Sequence, residues 1–195
     1  MTAHVPFTAK RRLATAEIIA VGSELLTPFR SDTNSLFLTA RLNELGVRVR
    51  HKTIVGDDGP DLAAVVQAAL GRVDLIVTSG GLGPTEDDLT RETVAGLLGL
   101  KLVEQSCIVE SLEARFAATG RTMPHNNLRQ ALVPSGAVLL DNPRGTAPGL
   151  WLDVGDQVLV LLPGPPRELE PMFYGLSQGR LVERVSQDRL YRRVL

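Results

Sequence analysis

Two kinds of apolar run alternate along the first half of the chain. Short stretches rich in β-branched residues, at 17–22, 47–55 and 74–78, read as strands. Between and after them come longer segments with helical spacing. Asp32 caps a helix carrying Leu36, Leu38, Leu42 and Leu45, and Gly46 stops it. Asp61 opens a second helix through Leu62, Val65, Val66, Ala69 and Leu70, and a third runs over 89–98. This β-α-β-α-β-α order predicts an α/β fold of three αβα layers, with a mostly parallel sheet between helices. Ligands of such sheets gather beyond the carboxyl ends of the strands. The loops at 22–24, 56–58 and 80–88 lie there.

Beyond Gly99 the pattern changes. A helix is expected over 105–119, with Ile108, Leu112 and Phe116 on one face and Cys107 as a small core residue of that face. Residues 123–131 form a short polar helix or turn. There Asn127 and Gln130 bring amides that either read a ligand or tie the loop down, and His125, with no carboxylate or cysteine pattern beside it, belongs on the surface. A strand at 137–140 leads into a loop at 141–149 rich in Gly and Pro. A hairpin follows, 149–154 and 157–162, around Gly155-Asp156. Its second strand runs into Pro163-Gly164-Pro165-Pro166 and a helix over 168–173, a second strand-loop-helix junction that would form another wall of the site. The organisation expected is a loose tail at 1–15, one domain at 16–175, and at 176–195 the start of a linker or of a truncated second region. Its last apolar residues, Val194-Leu195, come without a terminating signal.

The chemistry concentrates in Ser79-Gly80-Gly81-Leu82-Gly83-Pro84-Thr85-Glu86-Asp87-Asp88-Leu89-Thr90. Glycines between a strand and a helix let the backbone approach a ligand closely, and free amides at a helix start attract anions. Three successive acids at the same place would repel a bare phosphate. One resolution is a divalent metal bridging carboxylate and phosphate oxygens. The other is local: Thr85 as N-cap, Asp88 as its capping-box partner, and acids that suit the helix dipole.

Composition narrows the classes. At 195 residues and 44% hydrophobic content, the chain can bury a core of ordinary size without staples. A net charge of −1 gives no electrostatic reason to expect nucleic acid, and one cysteine excludes both an internal disulfide and a cysteine-built metal site. No run approaches the ~20 apolar residues of a membrane span. The basic cluster Lys10-Arg11-Arg12 is followed by no secretory core, so a cytoplasmic protein is expected.

Four separated motifs carry a resemblance: Gly80-Gly81-Leu82-Gly83-Pro84-Thr85-x-Asp87-Asp88-x-Thr90, Asn127-x-x-Gln130-Ala131, Gly145-Thr146-Ala147-Pro148-Gly149 and Pro163-Gly164-x-Pro166-x-Glu168. With them in this order, residues 16–175 resemble the N-terminal domain of the competence/damage-inducible CinA family, within the wider molybdopterin-binding MoaB/Mog-like superfamily. The resemblance implies that superfamily's fold and a metal-dependent ADP-ribose pyrophosphatase activity. It leaves room for two alternatives: a molybdopterin or pterin-phosphate binding protein without hydrolysis, and a non-enzymatic fragment working with a partner domain. It points to Asp57 and Asp88 as catalytic aspartates, although Asp57 also suits a turn residue bonding its own backbone. Asp87, Asp88 and Glu24 would hold Mg²⁺ or a similar divalent ion. Ser79, Gly80, Gly81, Gly83 and Thr85 would contact phosphate or nucleotide, together with Asn127, Gln130, Gly145, Thr146, Gly149, Pro163 and Gly164. The partners implied are a nucleotide or pterin phosphate and further copies of the chain, as a dimer or trimer; neither nucleic acid nor membrane is among them.

Overall fold

The computed structural model describes residues 11–185. In chain order its elements are strand β1 (Thr15–Val21), helix α1 (Thr33–Glu44), β2 (Arg48–Val55), α2 (Gly59–Leu70), β3 (Leu75–Ser79) and α3 (Thr90–Leu97). The second half contributes β4 (Leu102–Glu104), α4 (Ser106–Ala118), β5 (Leu132–Pro134), β6 (Val138–Leu140), β7 (Gly149–Val154), β8 (Gln157–Leu162) and α5 (Pro166–Gln178).

Six strands form one sheet in the order β2-β1-β3-β8-β7-β6. The first four are mutually parallel, and β7 and β6 add antiparallel pairs. Both faces of this sheet are covered, which is why β3 and β8 read as nearly unbroken apolar runs. Successive side chains of β1 serve opposite layers. Ile19 packs with Leu62 and Val66 of α2, Val94 of α3 and Leu112 of α4. Ile18 packs with Leu38 and Leu42 of α1 and Leu169 and Phe173 of α5. Each such fully buried aliphatic side chain is worth about 1.5–3 kcal/mol relative to exposure, so the strand alternation alone commits the helices to two layers. The expected αβα fold with a mostly parallel sheet is what forms. Strand β2 lies at an edge and alternates exposed and half-buried positions, with Arg48, Arg50 and Lys52 facing solvent, a pattern that discourages further strand addition.

Buried charge fastens the N-terminal ends of β1 and β3. Glu17, fully buried, accepts from Arg72 Nε at 2.9 Å and Nη2 at 2.6 Å and from the Thr53 hydroxyl at 2.8 Å. Asp74, just before β3, accepts from the N–H groups of Ala14 and Thr15 at 3.1 and 2.9 Å.

Several expectations are corrected. Cys107 is exposed: Ile108 and Leu112 face the core, and Cys107, one position before Ile108, turns outward. Strands β4 and β5 form a small separate antiparallel sheet that no pattern of three residues announces. The described parts of the two flanks meet each other. Leu13 is fully buried, its N–H donates to Arg184 O at 2.8 Å, and it bridges Val185 in parallel; Leu181 packs in the same layer. The tail residues before 11 and the apolar end at Val194-Leu195 lie outside the described residues. Among the described residues, no helix is long and apolar enough to cross a membrane.

Candidate functional site

Because β2, β1, β3 and β8 run parallel, their exit loops gather at one edge of the sheet. Gly22 to Glu24 follow β1, Gly56 to Asp58 follow β2, residues 80–89 follow β3, and Pro163 to Pro165 follow β8. Gly80 holds the crossing point. It has φ 111°, its N–H donates to Leu162 O at 2.9 Å, and a Cβ there would stand 2.2 Å from Val21 O. Only glycine lets three exit loops meet so tightly.

The glycine loop is longer than a helix cap. Helix α3 begins at Thr90, five residues after Thr85, with Leu89 as its N-cap and no side-chain cap bond. The Thr85 and Asp88 pair does form, but as a loop clamp rather than a capping box. Asp88 Oδ1 accepts from Gly83 N–H at 2.8 Å, and Oδ2 accepts from the N–H and hydroxyl of Thr85 at 2.9 and 2.5 Å. A carboxylate of the chain itself therefore occupies the anion position that the amides of Gly83 and Thr85 create.

Two arginines grip the same loop from behind. Arg91, 1% exposed, donates from Nη1 to Leu82 O at 2.7 Å and from Nη2 to Gly83 O at 3.3 Å. Burial pulls its pKa below the ordinary arginine value; Glu92 and Asp88 oppose that pull, and Arg129 adds to it. Arg129 donates from Nη1 to Thr85 O at 2.6 Å and from Nη2 to Glu92 at 3.1 Å. Sequence reasoning missed both. The available signal was a lone cation, Arg91, three positions after the last of three acids and on the first turn of the following helix.

In front of the loop lies a cleft of about 400 Å³. The carboxylates of Glu24, Asp57, Asp87, Asp88 and Glu168 line it, with Gln130 and Thr146, and among the described residues no lysine or arginine does. Asp57 is held by reciprocal bonds with the first exit loop: Ser23 N–H donates to Asp57 Oδ2 at 2.8 Å, and Asp57 N–H donates to Ser23 Oγ at 3.0 Å. Its side chain bonds a neighbouring loop's backbone rather than its own. Glu168, given no role from the sequence, is 8% exposed and accepts from Asn142 Nδ2 at 2.9 Å. Gln130 is 1% exposed, and its Oε1 has no partner among the described residues.

Of the residues expected at the site, the cleft brings together Glu24, Asp57, Gly80, Gly81, Gly83, Asp87, Asp88, Gln130, Thr146, Pro163 and Gly164. Ser79 faces an adjoining groove, where Asn34 Nδ2 donates to its Oγ at 2.8 Å and to Gly164 O at 2.7 Å. Thr85 is turned to Asp88. Asn127 is buried and donates to Pro124 O at 3.4 Å and Asn126 Oδ1 at 3.3 Å, so it ties its own turn. Gly145 lies against the Glu168 carboxylate, and Gly149 begins β7 beneath Met172, a packing position. His125 is exposed, as expected.

Among the described residues, no three His, Cys, Asp or Glu side chains come together closely enough to hold an ion unaided. A dedicated cage is thus not built. Mg²⁺ needs none, since it is commonly held by one or two carboxylates plus substrate phosphates and water. The scattered carboxylates of the cleft fit that mode.

Residues 17–182 match a family described as a probable molybdopterin binding domain. A CinA-like protein of Acidobacterium capsulatum is 52% identical over 184 residues, covering 92% of this chain and 44% of the relative. One of Solibacter usitatus is 55% identical over 158 residues, covering 81% and 38%. The chain thus spans less than half the length of these curated relatives. Among solved structures, the protein CinA of Thermoplasma acidophilum, described as of unknown function, superposes with a TM-score of 0.79 at 32% identity, over 87% of this chain and 98% of that one. The molybdopterin biosynthesis enzyme MoaB of Thermus thermophilus shares the fold, with a TM-score of 0.54 at 22% identity over 87% and 94%.

Proposed function

The chain belongs to the molybdopterin-binding-domain family and, within it, to the CinA-like proteins; from that membership we propose that its glycine-loop cleft takes a phosphate-bearing small molecule together with a divalent cation, and hydrolyses a pyrophosphate such as ADP-ribose. The observation that carries this reading is the charge of the cleft: five carboxylates line it and, among the described residues, no basic side chain does. Two like charges 4 Å apart cost about 4 kcal/mol at the effective dielectric of a protein surface. A diphosphate entering alone would meet several such repulsions, so it needs a cation to enter with it.

Of Asp87, Asp88 and Glu24, one or two would hold that ion, with substrate phosphates and water as its other ligands. When bound, it supplies charge neutralisation and a more acidic water. The chain's own groups do the rest. Arg91 and Arg129 fix the carbonyls of Leu82, Gly83 and Thr85, which holds the shape of the loop around its Asp88 clamp. Asp57, oriented by Ser23 N–H, is the carboxylate to accept a proton from the attacking water. Addition of water across the phosphoanhydride would give AMP and ribose 5-phosphate.

One observation favours a second reading. The Asp88 oxygens already accept three hydrogen bonds within the loop, a shaping role that binding alone would need. The family's description as a probable molybdopterin binding domain supports a pterin phosphate as the ligand of this non-hydrolytic reading. Release of AMP from ADP-ribose, followed with and without Mg²⁺, Mn²⁺ or Co²⁺ in the wild type, Asp87→Asn and Asp88→Asn, separates the two. Metal-dependent turnover lost in the variants supports hydrolysis. Saturable pterin binding without turnover supports the second reading. A cytoplasmic dimer or trimer remains part of the proposal, and a sizing column tests the association.

A further inference from the structure

A second cavity, of about 360 Å³, lies beside the cleft, between α4 and the 141–148 loop. The two spaces share a wall. Thr146 lines both, and the 2.9 Å hydrogen bond from Asn142 Nδ2 to Glu168 Oε2 joins a side chain of the second cavity to one of the first. Gly145 keeps that wall thin, because a Cβ there would fall 1.8 Å from Glu168 Oε2.

The chemistry of the second cavity differs from that of the cleft. Ile108 and Leu112 of α4 and Leu139 of β6, which pack in one layer, supply its apolar wall, and Leu140 lies at its margin. Asp141 stands at the edge as a hydrogen-bond acceptor. Arg115, which donates to Pro143 O at 3.4 Å, is the one basic residue lining either space among the described residues. An apolar wall with an acceptor and a guanidinium at the margin suits a planar nitrogen heterocycle, which can lay an apolar face on the wall while its edge offers N–H donors and ring-nitrogen acceptors. A bare phosphate would gain nothing from that wall.

We propose that this cavity is the ring subsite of the same ligand: it takes the purine or pterin ring while the phosphates occupy the glycine-loop cleft, and the connecting sugar or side chain passes Thr146. This inference rests on the phosphate reading above. It turns a cleft specific for charge into a two-part site specific for ring-bearing phosphates.

Cys107 lines the cavity, is exposed, and is the only cysteine in the chain, so its alkylation reports occupancy directly. Iodoacetamide modification is measured in Asp57→Ala, whose slow turnover leaves the ligand intact, with Mg²⁺ present, alone, with inorganic pyrophosphate and with ADP-ribose, and the binding of both compounds to the same variant is measured by calorimetry. ADP-ribose at ten times its measured dissociation constant is expected to slow alkylation about tenfold, by simple occupancy, while bound pyrophosphate leaves the rate unchanged. Ser111→Phe, a solvent-side change that fills the cavity, should weaken ADP-ribose roughly tenfold or more and leave pyrophosphate binding as it is. Binding of ADP-ribose without protection of Cys107, or equal protection by pyrophosphate, overturns the ring subsite and leaves the phosphate reading standing. Failure of both compounds to bind overturns the two together.

Discussion

Ser23 and Asp57 exchange hydrogen bonds across two exit loops, Ser23 N–H to Asp57 Oδ2 at 2.8 Å and Asp57 N–H to Ser23 Oγ at 3.0 Å. The pair fixes the carboxylate's direction without using all its lone pairs. Ser23→Ala removes one bond at an exposed position and should cost about 0.5–1.5 kcal/mol, with turnover reduced only a few-fold. Asp57→Ala should cost about the same in stability but, as the proton acceptor, reduce turnover about 10²-fold or more. Urea midpoints beside initial rates of AMP release check both. Equal losses of rate in the two variants would make Asp57 a clamp only.

The Asp88 carboxylate filling the glycine-loop nest makes a distinct prediction. In Asp88→Asn, one carboxylate acceptor becomes an amide donor facing the Gly83 and Thr85 donors, a cost of about 1–3 kcal/mol confined to the loop. Hydrogen exchange at the Gly83 and Thr85 amides should accelerate about tenfold or more, with amides of β1 and β3 unchanged. Unaltered exchange at those two amides would show that the clamp contributes nothing in solution.

Arg91→Met tests the cation behind the loop. Its two bonds to Leu82 O and Gly83 O are charge-assisted and its surroundings are dry, so the loss should be about 2–3 kcal/mol, read as a lowered thermal midpoint. Arg91→Lys keeps the charge but cannot reach both carbonyls as a fork, and should recover at most part of that loss.

Acid sensitivity should reside partly in Asp74. Burial alone would raise its pKa, but the Thr15 hydroxyl, the N–H groups of Ala14 and Thr15 and the Arg11 guanidinium outweigh that and hold it below the ordinary aspartate value. A lowered folded-state pKa stabilises the protein fully above the unfolded-chain value of about 4, and that share is lost as pH falls through the lower folded value. Denaturation midpoints of Asp74→Asn should fall less steeply on the acid side than those of the wild type. Parallel slopes would remove Asp74 from the acid response.

The strands and helices were legible where local pattern and burial agree. β7 and β8 fall where the alternation around Gly155-Asp156 puts them, and α1 begins after its Asp32 cap, because both are decided by residues a few positions apart. The gathering of the glycine loop with the loops after β1, β2 and β8 was legible too, since parallel topology forces exit loops to one edge. What escaped were relations set by distant partners. Cys107 sits one position from Ile108, a difference of about 100° around a helix, and with Cys107, Ile108 and Val109 apolar in succession the periodicity does not fix which of them faces inward. Arg91 reads as a solvated charge until the loop folds over it. Asn142 and Glu168, 26 residues apart, meet only after the hairpin of β7 and β8 has turned the chain back.

Leu13 and Val185 lie side by side, joined through Leu13 N–H and Arg184 O. The polypeptide between them therefore starts and finishes at one spot, like a drawer with a single handle. Such a segment can be carried into another protein at one surface position, or reopened elsewhere as a circular permutant, without stretching its sheet.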